Sequence, residues 1–398
     1  MKIILACGIF PPDIGGPATY ADKLAGELKN LGHEVVVLAY RDKTNEKCKM
    51  KPFDSAQGGN EKPQSKIKND DFPVFTVARR WPKGIRHLIY FCKLLILAAR
   101  ADVIYAQNIL SVGLAALLAA RILKKKVAIR LGGDFLWERA CEQKGIKIGL
   151  VDYYDLPKTI KERFLTAFLK KILNAADKII FSTYFQKEIY QKHFAVKDEK
   201  SAVIANPFPE ISVVPEKALP VKDWQLLFAG RLIKLKNLDF LLDVFAKVLS
   251  KTDFPLRLKI IGDGPEKENL MEKARKMGLG NAIIFEGGMP HQKLLAEIQA
   301  SFLCLLPSLS EVSPNFALEC LKMKKPILLT RETGIFENFK ESLIFLDPAD
   351  GQTWQEQILR LLEQDKYQEY LRKISSADVS RNWRDAVKEH ILLFQTLF

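Results

Sequence analysis

Short apolar runs alternate with longer amphipathic stretches along most of the chain, and this alternation sets the expected elements. An apolar run of about five residues between turn residues reads as a strand buried on both faces. Apolar positions three and four apart over about ten residues read as a helix. Strands are therefore expected at Lys2–Cys7, Glu34–Tyr40, Phe72–Val77, Asp102–Ala106, Lys126–Leu131, Lys178–Ser182 and Ser201–Ile204. Helices fall between them at Ala18–Leu31, Gly84–Arg100, Gly113–Leu123, Ile160–Leu173 and Gln186–Phe194. The same rhythm returns with strands at Gln225–Ala229, Arg257–Ile261, Ala282–Glu286, Ser301–Leu306, Pro326–Thr330 and Leu343–Leu346. The helices of this half are Leu238–Lys251, Glu266–Met277, His291–Ala300, Phe316–Met323, Thr353–Glu363, Gln364–Ser376 and Trp383–Leu397.

Strand alternating with helix implies parallel sheets covered on both faces, and 398 residues suffice for two such cores. The fold class is α/β, with two doubly wound domains. We place the first at residues 1–209, a linker at 210–223 containing Pro215 and Pro220, and the second at 224–379. Residues 380–398 form a closing helix. Residues 43–71 are polar and lack an apolar period, which predicts a mobile insertion between strands.

Charge divides the chain. Of the net +14, residues 1–220 carry +13 and residues 221–398 only +1. An anionic partner is thus expected on the first half alone. No nucleic-acid motif accompanies the charge, so nucleic acid is not expected. An anionic membrane surface or a phosphate-bearing acceptor fits the basic helices better, Ile160–Leu173 among them; a merely solvated basic face and core packing of the apolar stripes are the plain alternatives. The six cysteines show no paired spacing and read as reduced core residues rather than a disulfide or zinc framework. No long run of apolar residues is free of charge, so a spanning helix is not expected. A cytoplasmic protein is expected, with attachment at the inner face of the membrane left open.

Candidate chemistry lies where strands run into loops. Gly15 and Gly16 precede a helix and permit close backbone approach, suited to a phosphate or simply to a tight turn. Gly230 and Arg231 follow a strand, with Lys236 just before the next helix; a guanidinium and an ammonium converging there suit a diphosphate. Gly262 and Asp263 close another strand. The segment Pro307–Glu319 sets Glu311 in a loop and Glu319 in a helix. The N–H groups of Ser313, Asn315 and Phe316 lie at that helix start, where an anion is favoured. Acid on both sides of an anion site suits a ligand with phosphate in the middle and hydroxyls at both ends.

In this order the motifs resemble the retaining glycosyltransferases of family GT4 (group 1), whose glutamate–seven residues–glutamate motif is matched by Glu311 and Glu319. The resemblance covers nearly the whole chain. It implies the GT-B fold, two Rossmann-like domains facing each other across a cleft, with residues 380–398 crossing back to the first. It implies that Glu311 orients donor-sugar hydroxyls, that Glu319 grips the ribose, and that Arg231 and Lys236 hold the diphosphate. Gly15, Gly16, Gly230, Gly262, Asp263, Ser313, Asn315 and Phe316 would complete the donor site. The implied reaction moves a sugar from a nucleotide-diphosphate donor to a lipid-linked or polysaccharide-precursor acceptor, with retention and with neither metal nor cofactor. The chain departs from the family where a histidine usually ends a strand, since Leu131 stands there. Asp134 matches the motif's aspartate, and either Asp134 or Glu138 could take a polar role at the acceptor or serve only as a capping or salt-bridged residue. A GT-B sugar-nucleotide epimerase and a non-catalytic sugar-nucleotide-binding subunit are the alternatives.

Overall fold

A computed structural model describes residues 1–13, 15–41, 72–211 and 224–398. The expected insertion at 43–71 and linker residues 212–223 lie outside the described residues. The first sheet contains β1 (Lys2–Cys7), β2 (Glu34–Arg41), β3 (Val74–Ala78), β4 (Val103–Ala106), β5 (Lys126–Leu131), β6 (Lys178–Phe181) and β7 (Ser201–Val203). Its order is β3-β2-β1-β4-β5-β6-β7, with parallel pairing throughout. The second contains β8 (Gln225–Ala229), β9 (Arg257–Ile261), β10 (Ile283–Glu286), β11 (Leu303–Leu306), β12 (Ile327–Thr330) and β13 (Ile344–Leu346), ordered β10-β9-β8-β11-β12-β13. Both orders are those of the doubly wound dinucleotide-binding fold.

In the first domain the strands are joined by α1 (Gly16–Asn30), α2 (Lys83–Ala98), α3 (Leu114–Leu123), α4 (Phe135–Lys144), α5 (Leu150–Asp155), α6 (Ile160–Ala175) and α7 (Tyr184–Phe194). The second domain uses α8 (Leu238–Leu249), α9 (Lys267–Lys276), α10 (His291–Ala300), α11 (Asn315–Lys322), α12 (Phe336–Phe339), α13 (Gly351–Leu361) and α14 (Gln364–Ser375). On α8, Leu238, Leu241, Leu242, Phe245 and Val248 form the inward stripe, each buried side chain contributing about 1.5–3 kcal/mol.

The last helix, α15 (Trp383–Gln395), packs on α1 of the first domain. Ala386, Val387 and Phe394 join Ile3, Leu5 and Leu24 in one core. His390 is fully buried there: Nδ1 lies 2.7 Å from the Ala386 carbonyl, while Nε2 lies 3.0 Å from the Tyr105 hydroxyl and 3.3 Å from that of Tyr20. Burial lowers its pKa to about 3, so the ring stays neutral, Nδ1–H donates to the Ala386 carbonyl, and the one lone pair of Nε2 accepts from a tyrosine hydroxyl.

The domains touch through apolar and polar contacts. Leu235, Leu309 and Val312 enter the same cluster as Leu136, Trp137 and Cys141 of α4. Glu332, in the loop after β12, accepts from the Val151 N–H at 2.9 Å. Gly149 is the neighbour that makes room, since a Cβ there would lie 1.9 Å from the Glu332 carboxylate.

Three helices depart from the sequence reading. α4, α5 and α12 were not expected, although Asp134 and Gly145 bracket α4 as an N-cap and a left-handed C-cap (φ 65°). α1 begins at Gly16 rather than Ala18, because Gly15 adopts φ 153° and Pro17 suits a first turn.

Candidate functional site

In each sheet the strand order reverses beside the first strand, between β1 and β4 and between β8 and β11. Ligands of doubly wound sheets bind at the carboxyl ends of strands at such points. Loops from both switch points line one cavity of about 800 Å³, with Gly8, Gly16 and Asn108 on one side and Arg231, Ser313 and Asn315 on the other. Neither sheet alone encloses this cavity.

Two helix starts face each other across it. A Cβ on Gly16 would lie 3.3 Å from Asn315 Nδ2, so the start of α1 almost touches the start of α11. Neither helix has a side-chain cap, and the first intrahelical bond of α11 comes from the Leu318 N–H. The N–H groups of Asn315 and Phe316 therefore belong to the unpaired first turn. The Phe316 side chain is buried in the second core, so only its backbone can serve a ligand.

Glu311 sits in the loop before α11, its side chain 10% exposed, and Oε1 accepts from Lys236 Nζ and from the Ser308 hydroxyl (2.6 Å). Lys236 is itself only 17% exposed. Glu319, within α11, bonds His291 Nε2 at 2.8 Å, and this contact raises the His291 pKa. The His291 contact was not anticipated; its one signal was a histidine opening the helix after Gly287-Gly288. Arg231 is exposed to the cleft and pairs with no carboxylate among the described residues.

Gly15, Gly230, Gly262 and Asp263 do not line the cavity. Gly262 (φ 143°) lies so close to the preceding loop that a Cβ would stand 1.9 Å from the Gly230 carbonyl. Asp263 accepts from the Gly288 N–H (2.7 Å) and Lys267 (2.9 Å), which hold its carboxyl below the usual range. Gly230 itself adopts φ 159°.

Asp134 must be corrected. It is 1% exposed and caps α4 through the Trp137 N–H (2.8 Å). Its other oxygen accepts from Tyr154 (2.6 Å) and Tyr190 (3.0 Å). No oxygen is turned to the cleft, and a catalytic role at the acceptor does not fit this geometry. Glu138, one turn on, does line the cavity; burial and the nearby Asp134 raise its pKa against the opposing pull of Arg231 and Lys236. Leu131 lines it as well, buried, where the resemblance would place histidine. We expect Asp134→Ala to cost about 3 kcal/mol in urea unfolding, from the lost cap and two orphaned phenols. A variant of wild-type stability with lost turnover would instead return Asp134 to the chemistry.

Among the described residues, no group of three or more His, Cys, Asp or Glu is placed to hold a metal ion. The cationic side chains lining the cleft include Arg79, Arg86, Arg130 and Arg231.

Two parallel, doubly wound domains with a shared cleft define the GT-B architecture of glycosyltransferases. Family profiles divide the chain the same way: glycosyltransferase family 4 matches residues 14–209, and glycosyl transferases group 1 matches residues 212–377. The chain belongs to the group 1, GT4-type glycosyltransferases. It is 27% identical over 188 residues to a D-inositol 3-phosphate glycosyltransferase of Corynebacterium urealyticum, covering 45% of this chain and 44% of that one. It is 24% identical over 340 residues to the alpha-monoglucosyldiacylglycerol synthase of Streptococcus pneumoniae, covering 82% and 70%. The chain spans about half the length of several curated relatives it matches. Among solved structures, sucrose-phosphate synthase from Thermosynechococcus elongatus superposes with a TM-score of 0.74 at 16% identity, covering 100% of this chain and 99% of that one. Anabaena HepE in complex with UDP and glucose gives 0.72 at 17% identity, with both chains fully covered. At these identities the likeness is one of fold.

Proposed function

We propose that the protein transfers a sugar, with retention, from a nucleoside-diphosphate donor to a lipid-linked or polysaccharide-precursor acceptor. The observation that carries this reading is the convergence, in one cleft, of Arg231 and the uncapped start of α11 with the Glu311–Lys236 pair set just behind them. Positive charge and N–H groups meet the diphosphate, Arg231 and Lys236 steady it as it leaves, and carboxylates on either side meet hydroxyls. Glu319 reaches the ribose, and His291 already shows that its carboxylate can be bonded from outside the helix. No protein nucleophile is assigned, so the acceptor attacks on the leaving-group face.

The test is a thermal-shift panel of UDP, GDP, ADP and their sugar conjugates, on wild type and Glu319→Ala, followed by turnover with cell lipid extract. One nucleotide should stabilise the wild type and lose its effect in the variant. Stabilisation by none would refute the donor site, and binding without turnover would make the protein a binding subunit.

The same reading places the acceptor near a membrane. From Arg79 to Gly133 the chain carries eleven Lys and Arg, and Asp102 alone is acidic. On α2, Ile85, Leu88 and Ile96 (74%) are exposed, and on α6, Ile160, Phe164 (73%) and Phe168. α6 thus divides its apolar residues, with Leu169, Ile172 and Leu173 in the core and another row outside. No helix among the described residues is long and apolar enough to cross a membrane. An apolar row beside basic residues suits an anionic bilayer surface. Phosphatidylglycerol vesicles should retain the protein more strongly than phosphatidylcholine vesicles, and the double variant Ile96→Glu, Phe164→Glu should weaken that by about tenfold. Equal retention on both lipids would refute the surface.

A further inference from the structure

Arg130, near the end of β5, is 7% exposed and lines the cleft. Buried arginine is normally met by a carboxylate, because taking a guanidinium out of water is costly unless its charge is answered. Here no carboxylate among the described residues pairs with it. Nη2 donates to Asn206 Oδ1 at 2.5 Å, and Nε has no acceptor. The plane lies over the ring of Tyr20, 3.8 Å from its centroid, and that stacking is the other answer the charge receives. Its remaining surroundings, His390 and Tyr105, are neutral at physiological pH, and the positive charge helps to lower the His390 pKa.

The position is as informative as the missing partner. Asn206, which holds Arg130, donates through Nδ2 to Ser313 Oγ at 3.0 Å, so the guanidinium is linked through one side chain to the residue two before α11. Tyr20, which stacks on it, belongs to α1, whose uncapped start lies against Asn315. A buried cation without a carboxylate partner and two uncapped helix starts therefore share one end of the cleft, and each of the three favours an anion. A purely structural arginine stapling α1 to the segment after β7 would explain the Tyr20 and Asn206 contacts. It would not explain why a guanidinium that no carboxylate answers lines a ligand-sized cavity, with Nη1 left without a hydrogen-bond partner among the described residues.

We propose that Arg130 is a phosphate ligand, holding an oxyanion between the starts of α1 and α11 at the end of the cleft beside Asn206. The site takes a phosphate group, either of the donor diphosphate or of a phosphorylated acceptor. It rests on the proposed function only for the source of that phosphate. Because the guanidinium comes from the first domain and Ser313 from the second, the bound group bridges both domains.

The experiment is calorimetric titration of pyrophosphate, UDP and glucose 6-phosphate into wild type, Arg130→Met and Asn315→Asp. Arg130→Met removes the cation. Asn315→Asp sets a negative charge at an exposed residue of the α11 start and keeps the result readable if Arg130→Met does not fold. Both variants should weaken the same phosphate ligand at least tenfold, with unchanged circular dichroism. Weakening of UDP and pyrophosphate assigns the site to the donor. Weakening of glucose 6-phosphate with UDP unchanged assigns it to an acceptor. Folded variants that bind all three within twofold of wild type overturn the proposal, even where wild type binds UDP well. Absence of UDP binding with an Arg130-dependent pyrophosphate or glucose 6-phosphate site would defeat the donor reading and leave this one standing.

Discussion

Arg231→Ala is expected to lower kcat for sugar transfer by roughly 10²- to 10³-fold, the usual effect of removing one preorganised donor from a developing charge. The fold should hardly notice, with stability within about 0.5 kcal/mol of wild type. Both expectations come from the same geometry. Gly230 turns the chain sharply after β8 and aims Arg231 into the cleft, where it is exposed and pairs with no carboxylate among the described residues. Its charge is therefore available to a diphosphate and contributes little to folding. Arg231→Lys should recover only part of the rate, because an ammonium keeps the charge and loses the planar fork. Steady-state kinetics beside a urea melt make the check, and a kcat within threefold of wild type for Arg231→Ala would remove Arg231 from the mechanism.

Glu311→Ala is expected to act on stability and activity together. Glu311 and Lys236 form a mostly buried pair further held by Ser308, so deleting the carboxylate leaves an ammonium with nothing to answer its charge. Breaking such a pair costs about 3 kcal/mol or more. The double variant Glu311→Gln, Lys236→Met separates the two effects, since a buried pair replaced by neutral groups of similar size is often close to neutral in stability. We expect the double variant to melt near wild type and to have no measurable transfer. Transfer at the wild-type rate in a folded double variant would show the pair to be a structural tie between two loops.

The strands, most helices and the two-sheet architecture could be read from the alternation of apolar runs and amphipathic stretches. Parallel strands buried on both faces must be nearly continuous in apolar residues, and β1, β8 and β11 are. Two of the segments that escaped, α5 and α12, are only six and four residues long, so their periodic signal is weak, whereas α4 carries a helical one in Leu136, Trp137, Ala140 and Cys141 that was passed over. Asp134 shows the same limit at the site. A motif match named an aspartate, but whether its oxygens faced a cleft or two tyrosines depended on α5 and α7, which supply Tyr154 and Tyr190 from 20 and 56 residues away.

What the sequence determined by itself was the material at each strand end: glycines where a Cβ would collide, Arg231 and Lys236 after β8, and glutamates eight positions apart around α11. These are local facts, set by spacing along one backbone. Pairings between distant segments were decided only in three dimensions. Lys236 found Glu311, Glu319 found His291, and Gly262 came against Gly230 because parallel strands set side by side bring together loops far apart in the chain. That no carboxylate meets Arg130 was likewise invisible in sequence, where an arginine at a strand end looks like any other. It becomes distinctive only when Tyr20, Asn206 and their neighbours enclose it, because the cost of an ion without a counter-charge depends on the water removed from around it, and that is a property of the packed structure.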